Sequence, residues 1–281
     1  MTSPRRLLHT ALLGLTTLTL AAAESIGHEF WVSPSAHSVS SGQLVRVSLF
    51  HGERFAGDLV PRNDPMIERF EYRAGGEITE VRGMHGATSS FLRPAGVGHG
   101  VIVYETREYI NPLPAEKFEA YLAEEGLDEI SARRAVLGET DTDGREAYVR
   151  CAKALLTAED ADGFSGETAP VGLPLEIVVM ALGANGVEAR LLFGGEPLAG
   201  RCVVAVSEAD PAGLIEIESG ADGLIRFEPG AAGGWMLTAL HMERVSDRRD
   251  DVDWKSYWAS TTFAIPVAAR VAGGAGPGGG A

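Results

Sequence analysis

Short runs of β-branched and aromatic residues, cut at close intervals by glycine turns, constrain this 281-residue chain more than any other feature. Residues 44–50 (LVRVSLF) follow the turn formers Ser40-Ser41-Gly42, and residues 101–104 (VIVY) follow Gly98 and Gly100. Weaker runs at 66–72 and 77–81 flank a turn at Gly75-Gly76. The same period returns after Leu173, in runs at 175–180, 187–193, 202–206, 223–227, 235–241 and 256–265. Such spacing points to β-sandwiches rather than to a parallel α/β sheet.

Between these two regions the period changes. Pro114 suits a first helical turn, and Phe118, Tyr121 and Leu122 follow at helical spacing before Gly126 closes the segment. Asp128 then caps a second helix that ends near Gly138. Asp143 and Glu146 make a capping box for a third helix, with Tyr148, Cys151, Ala152 and Leu155 along one face. The predicted organisation is an N-terminal sandwich over 28–112, a helical insertion over 113–157, a linker over 158–170 and a C-terminal sandwich over 171–267. A disordered Gly-rich tail, 268–281, ends the chain.

Residues 1–27 read as an export signal. Arg5 and Arg6 precede an apolar stretch too short and too weakly apolar to span a bilayer, and small residues follow it. Cleavage after Ala23 or after Gly27 fits the small-residue rule, and either sends the mature chain to the periplasm or outside the cell. Removing residues 1–23 takes two of the 24 basic residues and none of the 39 acidic ones, so the net charge moves from −15 to −17. That balance repels nucleic acid and anionic lipid, and no basic patch interleaved with aromatics is present. Export permits a disulfide, but Cys151 and Cys202 lie far apart and form no Cys-x-x-Cys pair.

Nitrogen donors are the more informative chemistry. His28 opens the run His28-Glu29-Phe30-Trp31-Val32-Ser33-Pro34, and cleavage after Gly27 would set its imidazole beside a free α-amino group. Both groups bind a divalent metal when deprotonated. His241 lies on a predicted strand, sharing a face with Leu237 and Ala239. His51, at the end of the 44–50 run, joins them if that strand end faces the N-terminus. His37, His85 and His99 sit in Ser- or Gly-rich loops. No two histidines have the close spacing of a metal motif, so the fold must assemble any site.

Other motifs are weaker. Gly96-Val97-Gly98-His99-Gly100 does not join a strand to a helix, as a nucleotide cradle requires. Asp141-Thr142-Asp143-Gly144 and Asp250-Asp251-Val252-Asp253 lack the full ligand spacing of a calcium loop. Gly163-Phe164-Ser165-Gly166 is no nucleophile elbow, and no catalytic triad has a local signature.

Several blocks taken together resemble a known family: 28–34, 114–127 (PAEKFEAYLAEEGL), 144–156 (GREAYVRCAKALL), 235–242 and 253–260 (DWKSYWAS). They are similar to an uncharacterised bacterial periplasmic family often labelled a nickel/cobalt uptake (ABC-type transport) periplasmic component. The likeness covers about residues 28–266. It implies Ig-like sandwiches, with His28 and His241 as metal ligands, and it favours cleavage at Gly27.

The resulting expectation is a mainly β protein of two Ig-like β-sandwich domains with a helical insertion between them. It would be a non-enzymatic periplasmic protein that binds nickel or cobalt through His28, His241 and His51 and delivers it to a membrane permease. Copper is the competing metal, because nitrogen sites favour Cu(II) over nickel on raw affinity. The alternatives are an interaction module that binds a protein or glycan through Trp254, Tyr257 and Trp258, and a copper-dependent redox enzyme built on His28.

Overall fold

Alternating and continuous apolar runs fold here into strands, and their glycine turns set the chain reversals. The computed structural model describes residues 29–94, 99–159, 169–246, 249 and 251–266. The export signal, His28, the centre of the predicted linker and the predicted tail lie outside the described residues.

The first half contains β1 (Glu29–Pro34), β2 (Ser38–Val39), β3 (Val45–Glu53), β4 (Ala56–Val60) and β5 (Ile67–Ala74). It continues with β6 (Glu77–Glu80), β7 (Arg82–Gly83), β8 (Ser90–Leu92), β9 (His99–Thr106) and β10 (Tyr109–Leu113). Two helices follow, α1 (Ala115–Glu124) and α2 (Asp128–Leu137). Then come the long β11 (Gly144–Ala158), β12 (Leu175–Gly183), β13 (Gly186–Phe193) and β14 (Glu196–Pro197). The chain ends in β15 (Cys202–Ser207), β16 (Asp210–Glu218), β17 (Leu224–Phe227), β18 (Gly233–Arg244) and β19 (Trp254–Ile265).

These strands form three sheets. A front sheet runs β1-β3-β8-β7, with β4 added to β3. A central sheet runs β16-β15-β18-β19-β11-β9-β5-β6, with β2 and β10 also on β11. A back sheet runs β12-β13-β14, with β17 on β13. The C-terminal β19 pairs in parallel with β11, from Glu146↔Trp254 to Ala154↔Thr262. The central sheet therefore passes through both halves of the chain.

Side-chain parity shows how the layers stack. On β11, Ala152, Ala154 and Leu156 join Val32, Val47 and Leu49 of the front sheet in one core. Val149, Cys151 and Leu155 join Ile177, Ala189 and Leu191 of the back sheet in another. Both faces of the central sheet are thus covered. Each fully buried Leu, Val or Phe contributes about 1.5–3 kcal/mol relative to exposure.

This double burial explains the main departure from expectation. The third helix predicted over 143–157 is instead β11, the hub of the central sheet. A strand buried on both faces shows no polar–apolar alternation, and its apolar run also matches helical spacing. The helix-forming Ala, Leu and Lys of this run carry only a weak preference, which the sheet overrides. Glu146, expected in a capping box, is a buried carboxylate instead. It accepts hydrogen bonds from Tyr121 Oη (3.1 Å) and from Ser256 Oγ. The predicted helical insertion over 113–157 reduces to α1 and α2.

Those two helices form over the expected residues, but Asp128 is the first helical residue of α2 rather than its cap: Leu127 holds the N-cap position, with no side-chain cap bond. Pro114 precedes α1, and Gly138 ends α2 in the left-handed conformation at φ 70°. Phe118, Tyr121, Leu122 and Ile130 pack with Leu240, Met242, Trp254 and Trp258 of the central sheet. Leu240 pairs with Trp258, and Trp258 with Arg150, so this patch shares a face with Ala152 and Ala154. The helices therefore lie on the front side, beside the front sheet. A cleft is left between them.

Candidate functional site

The cleft has a volume of about 780 Å³. Its floor is a row of register partners across three strands, Val204↔Thr238 and Thr238↔Ser260, with Leu240 and Trp258 alongside. One lip is Glu29 and Phe30 of β1 with Glu53 and Arg54 of the β3–β4 hairpin. The opposite lip is the end of α1, Glu124 and Glu125, and the turn into α2. Arg201 and Glu129 pair at the far end.

The hairpin that shapes the first lip is strained. Its two turn residues, Arg54 and Phe55, both have positive φ, 53° and 66°. A two-residue turn of this kind normally takes Asn or Gly, and non-glycine residues held there cost about 1–3 kcal/mol each. Local contacts hold it in place. The Arg54 backbone N–H donates to the Glu29 carboxylate at 2.6 Å, and the Phe55 ring meets the edge of Trp31 at 6.0 Å. A Cβ on Gly57 would stand 2.6 Å from the His51 carbonyl and 2.7 Å from the Trp31 ring, so the hairpin needs glycine there.

Electrostatics on the lips are dominated by carboxylates. Burial, then the charge of Glu124, pushes the Glu125 carboxyl up to about 7 despite the opposing pull of Arg150, with Glu29 and Glu53 adding to the rise. Burial likewise raises Glu29, against the Arg54 hydrogen bond. Beside the floor, on the same face of the sheet, the Arg150 guanidinium stacks on Trp258 (4.8 Å) and Tyr148 (5.1 Å). Tyr121 lies parallel to Trp258 at 6.2 Å, so Trp258 is packed between neighbours and only part of it meets the cleft. Trp254 and Tyr257, expected as exposed binding aromatics, are buried at 1% and 7% exposure.

The histidines divide between the two sides of the central sheet. His51 sits on β3 opposite Phe30 of β1 and opposite Asp58 of β4, so the three share one face of the front sheet. It lines a second depression of about 650 Å³ with Glu53, Asp58 and Pro211. The strand beside it, β1, is the one that follows His28. His241 lies on the other side. Its neighbour in register is Tyr257, on the back face, and its ring meets Phe193 of the back sheet at 4.4 Å. Burial, reinforced by Arg201, drops its pKa to about 4, and its Nδ1 has no hydrogen-bond partner among the described residues.

The structure thus brings His51 to β1 and places His241 across the sheet from it. Among the described residues, no group of three or more His, Cys, Asp or Glu side chains is arranged to hold a metal ion. His37 is a structural histidine, its Nδ1 2.7 Å from the Leu155 carbonyl. His85 Nδ1 accepts from the Asp64 N–H, and His99 opens β9 rather than lying in a loop. Cys151 is buried, Cys202 is exposed, and both are free thiols.

Sequence reading missed the cleft. Its lips come from segments about 70 residues apart, and its floor from strands about 80 to 135 residues further on. One signal was available: α1 ends in Glu124-Glu125 with no basic residue in its last turn, against the helix dipole.

Fold and site together define a mainly β protein with an acidic cleft over a central sheet. Among the described residues, no helix is long and apolar enough to cross a membrane. Residues 25–243 match the family described as Domain of unknown function (DUF4198), and the chain belongs to that family. No curated protein matches it.

Proposed function

We propose that this chain is an exported, periplasmic binding protein for a divalent transition metal, which it passes to a membrane permease. It binds its metal and does no chemistry on it. Resemblance favours nickel or cobalt as the cargo. The donor set, imidazole and amine with carboxylate nearby, suits Cu(II) at least as well. In the same reading, the front and central layers, and the central and back layers, form two Ig-like sandwiches sharing their middle sheet.

The observation that supports this reading is the register of β1 on β3. It sets His51 and Asp58 on the face of Phe30, two residues after His28. His28, with its ring and a free α-amino group, would supply the remaining donors. His241 is left out of the site, since its ring is packed against Phe193 on the far face.

Native intact mass of the exported protein, with and without nickel, cobalt and copper, tests the reading. A chain that begins at His28, holds one metal and loses it on His28→Ala is the expected result. A chain that holds none of the three metals contradicts it.

A further inference from the structure

The cleft carries a second inference, which uses none of the histidines and stands apart from the metal reading. Ser260 lies on the cleft floor at 3% exposure, and its Oγ has no hydrogen-bond partner among the described residues. Buried hydroxyls are nearly always bonded, and leaving one unpaired costs about 1–3 kcal/mol. Its strand partner Thr238 presents a second hydroxyl on the same floor.

What surrounds Ser260 limits what can satisfy it. Both lips carry acceptors: Glu29 and Glu53 on one side, Glu124 and Glu125 on the other. The cations in the lining are Arg54 and Arg201, and Arg201 is already paired with Glu129. The Trp258 Nε1–H is also taken, donating to Ser256 Oγ at 3.2 Å. An anionic ligand would meet net repulsion here. The dipole of α1 adds to the negative field, because its C-terminal end, at Glu124 and Glu125, lies at this lip.

Between the charged lips, beside the two hydroxyls, runs an apolar strip of Phe30, Val204, Leu240 and Trp258. A small hydrated metal ion gains nothing from such a strip, whereas methylene groups do. The volume lies within the range of small-molecule sites. We propose that the cleft binds a linear alkyl polyamine, its methylenes along Phe30, Leu240 and Trp258 and its ammonium groups at Glu29/Glu53 and Glu124/Glu125. One N–H of the ligand donates to Ser260 Oγ. A sugar would set hydroxyls rather than methylenes against the strip of Phe30, Leu240 and Trp258.

The test is calorimetric titration of the exported full chain with spermidine in about 150 mM salt, where surface attraction is screened beyond about 8 Å. Magnesium chloride is the control of matching charge type. The expected result is saturable binding of spermidine that magnesium does not displace. Ser260→Ala should weaken it about threefold to tenfold, the worth of one hydrogen bond, and Glu125→Gln about tenfold or more. Absence of binding at about 1 mM spermidine, a ceiling that still detects very weak ligands, overturns the inference. So does full displacement by magnesium, or wild-type affinity in both variants. Ser260→Ala removes a single atom from an unpartnered group, so it folds even if Glu125→Gln does not.

Discussion

On its back face the central sheet buries one ion pair and surrounds it with partners; on its front face it gathers carboxylates around open space. Lys153 Nζ lies 2.7 Å from Glu176, with the two side chains 3% and 2% exposed. The same carboxylate accepts from the backbone N–H groups of Val171, Gly172 and Leu173. Burial opposes the charge on Glu176, but Lys153 and these donors hold its pKa below the ordinary value. Across the sheet, Glu125 shares its lip with Glu124, and burial leaves it with a raised pKa. The Ser260 Oγ there has no hydrogen-bond partner among the described residues. A buried charge that is fully paired fixes structure; a raised carboxyl and an unpartnered hydroxyl beside a cleft are available to a ligand.

Breaking the back-face pair should have the largest effect. Glu176→Gln leaves the Lys153 ammonium buried without a counter-charge and should cost about 3–5 kcal/mol in urea unfolding. Lys153→Met should cost less, about 1.5–3 kcal/mol, because three backbone N–H groups still serve the carboxylate. Equal losses would show that the loop at 171–173 does not share the load. Neither variant should alter binding on the front face.

The front face should respond with a smaller effect of opposite sign. Glu125 has a folded pKa of about 7 against an ordinary 4.5. The folded state therefore holds its proton more tightly than the unfolded chain, and stability falls as pH rises from 4.5 through 7. Glu125→Gln removes that loss. Thermal unfolding should show the variant a few degrees more stable than the parent at about pH 8 and no different at about pH 4. A destabilised variant at the higher pH would mean that Glu125 is held by contacts rather than crowded by like charges.

How legible these two faces were in the sequence follows from the same contrast. Half-exposed strands such as β3 and β5, and the short helices α1 and α2, declare themselves by period and by their glycine boundaries. β11 does not, because both its faces are buried and its apolar run also fits helical spacing. The histidines were visible but their grouping was not. A strand residue's face depends on register and on which sheet covers it, and only the stacking shows that His241 turns toward Phe193 while His51 turns toward β1. Ser260 carried no signal, since an unpartnered hydroxyl is a property of its surroundings.

The proposed metal and amine sites both lie on the front side of the molecule, around the start of β1, and leave out the back-face histidine. Calorimetric titration of nickel into the exported chain, into His51→Ala and into His241→Ala tests this most directly. His51→Ala should lose about tenfold or more in affinity, the worth of one metal ligand or its close support, while His241→Ala should match the parent. Loss of binding in His241→Ala with His51→Ala unaffected would contradict it.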